Sequence, residues 1–68
     1  MMNISKASKA AGLPVKTVRY YADIGLVAAV QRSDSGYRLY DHTALRKLIF
    51  VRRARNFGFS IQVCRELL

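Results

Sequence analysis

Gly12-Leu13-Pro14 breaks the chain so early that only a short helix fits before it, and this break constrains the fold more than any other feature. Ser5 is the expected cap of that helix, with Ile4, Ala7, Ala10 and Ala11 at core spacing. Gly12 is its expected stop, where a residue with positive φ is needed. Pro14 restarts the chain, because proline in a first helical turn lacks only an N–H that would be unpaired there anyway. The second helix is predicted from about Val15 to Ile24, ended by Gly25. Two short helices about a tight turn match a helix-turn-helix.

Beyond Leu26 the period changes. Val27–Arg32 and Tyr37–Tyr40 are extended in character and flank the turn signal Ser33-Asp34-Ser35-Gly36, which predicts a β-hairpin. An isolated hairpin is marginal in water and must lean on the helices. Asp41 suits the cap of a third helix carrying Leu45, Leu48, Ile49 and Ala54 inward, closed by Asn56-Phe57-Gly58. Ser60 caps a fourth, Ile61–Leu68. The expected class is mainly α with a small β-hairpin: a winged helix-turn-helix of four helices and one two-stranded wing, a single domain over residues 1–68. The closing Leu67-Leu68 carries no helix-ending signal, which predicts a segment truncated out of a longer protein.

With 68 residues the chain has room for one core, at this size supplying only roughly 3–5 kcal/mol of net stability. Its net charge of +8 is the informative quantity, because such a field attracts polyanions and DNA is the densest a cell offers. Five of the twelve basic residues fall within Arg46–Arg55, which favours a binding surface over evenly spread solubilising charge. One cysteine forms no internal disulfide, no apolar run spans a bilayer, and Lys6 and Lys9 interrupt any signal-peptide core. A cytoplasmic protein without membrane partners is expected.

On the second helix, Val18, Tyr21, Ala22 and Gly25 form one face that packs inward. Lys16, Arg19, Tyr20 and Asp23 form another that points outward. Lys and Arg donate to guanine O6 and N7 in the major groove, and a tyrosine hydroxyl reaches phosphate. The hairpin adds Arg32, Tyr37 and Arg38; a thin basic hairpin follows the backbone or enters the narrow minor groove. Tyr40, next to the cap of the third helix, is assigned to packing. Arg52, Arg53 and Arg55 cover about half of that helix and reach toward more distant phosphates, unless one or two only face solvent.

Other chemistry is poorly supported. His42 and Cys64 are alone of their kinds and no spacing resembles a zinc site. His42 reads as a first-turn surface residue, Cys64 as core packing or helix surface. The four acidic residues form no acid–base pair, and there is no Gly-rich phosphate loop, so an enzyme is not expected.

Asn3-Ile4-Ser5, Val18-Arg19-Tyr20-Tyr21, Ile24-Gly25-Leu26, Ser35-Gly36-Tyr37-Arg38-Leu39-Tyr40, and Arg53-Ala54-Arg55 followed by Gly58-Phe59-Ser60 stand in an order and spacing that resembles the MerR family of bacterial transcription regulators. The resemblance implies that the second helix enters the major groove, that the hairpin is a first wing, and that the third and fourth helices form a second. It implies homodimers on inverted-repeat double-stranded DNA, where an effector makes the dimer underwind the promoter for RNA polymerase. Carried over by position, the DNA contacts fall on Lys16, Arg19, Tyr20, Tyr37, Arg38 and Arg53; Thr17 and Arg32 complete the candidate set. Pro14 stands where many relatives place a Ser or Thr cap. Arg32–Arg38 and Gly58–Leu68 look most like the copper-efflux and heavy-metal regulators. The dimerisation helix and effector site would follow Leu68, so no cofactor is expected within these residues. Copper or another metal ion is the possible effector of the whole protein, and the isolated segment should be monomeric and metal-insensitive.

Two rival readings are an excisionase-like architectural DNA-binding protein and a protein-interaction module docking through Phe57, Phe59, Leu67 and Leu68. The first predicts no longer gene, the second a binding strength that hardly changes with salt.

Overall fold

Asn3 rather than Ser5 opens the first helix. In the computed structural model, which describes Met1–Leu68, helix α1 runs Ile4–Ala11 and the Asn3 Oδ1 accepts a 2.9 Å hydrogen bond from the Lys6 N–H. Asn caps as well as Ser does, and a two-residue strand, β1 (Met2–Asn3), delivers Asn3 in the extended conformation a cap requires. The buried stripe is correspondingly Ala7, Ser8 and Ala11, with Ile4 half-buried beside it, while Ala10 is exposed. Ser8 tolerates burial because its Oγ donates to the Ser5 carbonyl at 3.0 Å.

Gly12, at φ 73°, ends α1. Its N–H donates to the Lys9 carbonyl and the Leu13 N–H to the Ser8 carbonyl, the paired bonds of a Schellman motif. The same pair closes the second helix at Gly25-Leu26 and the third at Gly58-Phe59. Helix α2 (Val15–Asp23) starts behind Pro14, which makes no side-chain capping bond.

The wing is shorter than expected and its sheet wider. Strands β2 (Gln31–Arg32) and β3 (Arg38–Tyr40) pair antiparallel, and β1 adds to the other edge of β3, giving three strands in the order β1-β3-β2. Two residues are too few for an alternating pattern to reveal β1 in advance. The Leu26 and Val27 N–H groups donate to the Tyr21 carbonyl at 2.9 and 3.2 Å, so they cannot join a strand ladder. That segment is buried as an irregular connection, and pairing starts four residues later than anticipated.

Asp41 Oδ1 accepts from the Ala44 N–H at 2.8 Å and opens α3 (His42–Asn56). Ala44, Leu48, Val51 and Ala54 are its buried residues; Leu45 and Ile49, expected at the centre of its inner face, flank the core half-buried. Ser60 Oγ caps α4 (Ile61–Leu67) through the Val63 N–H, and Cys64 is fully buried, which assigns it to core packing. Leu48, Val51, Val18, Tyr21, Tyr40 and the α1 alanines close a single core between the helices and the sheet. The small alanines let α1 lie close to both α2 and α3. No helix is long and apolar enough to cross a membrane.

Candidate nucleic-acid interface

The inner face of α2 is pinned by Val18 and Tyr21, so its remaining positions have no choice of direction. Lys16, Arg19, Tyr20 and Asp23 are all exposed on the outer side, while Ala22 is half-buried and Gly25 exposed. Thr17 lies between the two faces, half-buried.

Across from this helix stands the hairpin. Ser33 organises its turn: its N–H donates to the Tyr37 carbonyl at 2.8 Å and its Oγ accepts from the Tyr37 N–H at 3.0 Å. Arg32 reaches over the same turn, Nη1 donating to the Gly36 carbonyl at 2.9 Å. That bond leaves most of the guanidinium's five donors free. Tyr37 projects from the hairpin, 71% exposed.

Between helix and hairpin is a cleft of about 600 Å³. Arg19 lines it from α2, Arg32, Tyr37 and Arg38 from the wing, and Asn3, Ile4 and Ser5 from the start of α1. Arg38 crosses the cleft's end, Nη2 to Asp23 Oδ1 at 3.3 Å, joining β3 to the last residue of α2. Two residues along β3, Tyr40 is fully buried with its hydroxyl unpaired. Burial raises the Tyr40 pKa above the ordinary tyrosine value, against the opposing fields of Arg38, Arg32 and Arg19, while Asp23 adds to the rise. Three guanidiniums, those of Arg19, Arg32 and Arg38, line the one cleft. Concentrated positive charge in a concave setting focuses the field on an incoming polyanion.

Of the eight candidate contact residues, the structure gathers Arg19, Arg32, Tyr37 and Arg38 around one cleft. Lys16, Thr17 and Tyr20 lie along the same helix without lining it. Arg53 is exposed on α3, apart from the cleft. The α3 arginines divide: Arg55 Nη1 donates to the Phe59 carbonyl at 2.8 Å, and Arg52 lies half-buried against Gly12 with its Nε unpaired. Asn3 and Ser5 were not anticipated at the cleft; only their place beside the first cap hinted at it. The Asp23–Arg38 pair joins residues 15 apart and had no local signal.

His42 is an exposed first-turn residue. No group of three His, Cys, Asp or Glu side chains comes together, and the one thiol is buried in the core, so these residues do not fit a metal ion. Phe57, Phe59, Leu67 and Leu68 are exposed, the first by 84%.

Residues 2–68 match the family of MerR HTH regulatory proteins. The chain is 52% identical over 67 residues to the HTH-type transcriptional regulator HmrR of Rhizobium leguminosarum bv. viciae, covering 98% of this chain and 51% of that protein. The fold superposes on the transcription regulator PbrR691 of Ralstonia metallidurans CH34, solved in complex with lead(II), with a TM-score of 0.87 and 39% identity, over 98% of this chain and 52% of the other. It also superposes on HiNmlR, a MerR family regulator lacking the sensor domain and bound to promoter DNA, with a TM-score of 0.82 and 26% identity, over 96% and 52% of the two chains. The chain spans about half the length of the proteins it matches.

Proposed function

The chain belongs to the family of MerR HTH regulatory proteins, and from that premise we propose that residues 1–68 are its DNA-binding domain, reading promoter DNA with α2 in the major groove and the β2–β3 hairpin on the backbone or in the minor groove. The observation that carries this reading is the convergence of Arg19, Arg32, Tyr37 and Arg38 on one cleft between helix and wing. Lys16 and Arg19 are the base-reading residues, since both project from the exposed face of α2 and both donate to guanine. Thr17 and Tyr20 contact phosphate from the same helix. Arg32, Tyr37 and Arg38 follow the backbone or the groove's shape, and Arg53 holds a more distant phosphate. The HiNmlR complex supports promoter DNA as the partner.

In the whole protein, two such domains in a homodimer meet the two halves of an inverted repeat, and effector binding distorts the promoter for RNA polymerase. PbrR691's lead complex supports a heavy-metal effector, copper or another metal ion. The effector's ligands lie outside these residues, because the donor set here does not fit one. Such a regulator works in the cytoplasm, where its DNA is.

The test is a titration of duplex binding between low and physiological salt. If several phosphates are neutralised, log affinity falls linearly with log salt at a slope of about −0.9 per phosphate contact. A flat response would overturn the reading in favour of apolar docking.

A further inference from the structure

The recognition helix closes on its own backbone at Gly25-Leu26, but no side chain of its own supports either end. Pro14 supplies no side-chain cap, and neither terminal turn of α2 carries a complementary charge: no acidic residue in the first, no basic residue in the last. The final carbonyls of a helix lack intrahelical donors and carry partial negative charge. In α2 the Ile24, Gly25 and Leu26 amides take the Tyr20, Ala22 and Tyr21 carbonyls, and a side chain from forty residues downstream takes two more just past the helix end. Arg65 of α4 donates Nη2 to the Ile24 carbonyl at 3.0 Å and Nη1 to the Gly25 carbonyl at 3.2 Å. Its guanidinium thus forks across the two residues on which α2 closes, beside Asp23, which Arg38 holds from the wing.

On the reading of α2 as the recognition helix, we infer that Arg65 is a positioning residue: it locks the C-terminal end of α2 to α4, so that the order of α4 is coupled to discrimination between DNA sequences. The helix α4 otherwise packs on α3. Arg65 is what it extends to the helix that reads bases. The fork matters as much as the charge. A lysine ammonium is a point charge on a flexible stem and cannot hold two carbonyls in fixed directions. Base contacts depend on the angle at which α2 enters the groove, whereas phosphate attraction tolerates a shift of the helix.

The experiment compares wild type, Arg65→Lys and Arg65→Ala. It uses two duplexes, one selected from a random pool by the wild-type chain and one of random sequence, and follows hydrogen exchange at the Gly25 and Leu26 amides. Melting temperature is recorded for each variant. For Arg65→Lys, which keeps the charge, affinity for the selected duplex should fall about tenfold, the loss of one mismatched base. Affinity for the random duplex and its salt slope should stay as in wild type. The two amides, which close the end of α2, should exchange about tenfold faster, because the bonds at that end open more often. Arg65→Ala should show the same split at equal or larger size. Wild-type behaviour of Arg65→Lys would overturn the inference, and so would equal losses on both duplexes. If the wild-type chain selects no duplex at all, the DNA-binding reading fails with it, while unchanged exchange in Arg65→Lys would dispose of the clamp alone.

Discussion

The chain has two arginine-rich regions, and they are built differently. Between helix and wing, Arg19, Arg32 and Arg38 come from three elements, α2, β2 and β3, face one cleft, and two of the three are held: Arg32 by the Gly36 carbonyl, Arg38 by Asp23. On α3 the basic residues are closer in sequence but diverge in space. Arg55 is drawn to the Phe59 carbonyl, Arg52 folds over Gly12, and Arg53 faces solvent. Adjacent arginines on a helix are turned about a hundred degrees apart by the helix itself, so a dense run in sequence becomes a dispersed surface. Residues from a helix and a hairpin converge because the core brings their supports together. Charge density in sequence is therefore a poor guide to charge density in space, and the wing cleft is the better candidate for DNA contact.

The sharpest break in that comparison should come at Arg19. Its replacement by Ala should weaken binding to a selected duplex by on the order of 1–3 kcal/mol while changing random-sequence binding little, as loss of a bidentate base contact would. Competition binding with both duplexes checks this; equal losses on the two would remove Arg19 from base reading.

Arg38 and Arg53 form the next contrast. Arg38→Ala should weaken all duplexes about equally and reduce the salt slope by about one phosphate's worth. If DNA binding trades the Asp23 carboxylate on Arg38 for a phosphate, Asp23→Asn, which removes the competing charge, should tighten binding to random duplex. Arg53→Ala should show a smaller uniform loss, since Arg53 lies apart from the cleft. If Arg53→Ala instead cost more than Arg38→Ala, the α3 surface rather than the wing would be the principal contact.

The smallest effect concerns the base of the wing. Burial raises the Tyr40 pKa, helped by Asp23 and opposed by the neighbouring arginines. The folded state therefore favours the protonated phenol. Its contribution to stability is fully present below the unfolded value of about 10 and is lost as pH rises through the higher folded value. Unfolding by denaturant should show stability falling above about pH 10, and Tyr40→Phe should blunt that fall. At neutral pH the substitution should be close to neutral or mildly stabilising, because it removes a buried hydroxyl that has no partner. A large loss at neutral pH would mean that the hydroxyl has a partner after all.

Much of the scaffold was legible from local signals. Gly12, Gly25 and Gly58 mark three helix ends because a positive φ with an apolar residue following is a local motif, complete within six residues. Asp41 and Ser60 cap their helices for the same reason. The outward set Lys16, Arg19, Tyr20 and Asp23 followed from the helical period alone. Expectations slipped where two local solutions were equally good or where the partner was remote. Asn3 and Ser5 are comparable caps, and the choice fell to Asn3 because Met2 and Asn3 pair with β3. The start of the wing moved because Tyr21 claimed the Leu26 and Val27 amides.

By itself, then, the order of residues determined the number and class of the helices, the glycine-marked C-terminal ends of the first three, the turn between α1 and α2, and which face of α2 stays outside. These rest on bonds and periodicities spanning a few positions, which any window of the chain contains. The tertiary structure alone decided that β1 completes the sheet, that Arg38 meets Asp23 and Arg65 meets the end of α2, and that four wing and helix residues share a cleft while the α3 arginines scatter. Those contacts join residues 15 to 41 positions apart. No local pattern specifies them, because each exists only once Leu48, Val51, Val18 and Tyr40 have packed the elements around one core.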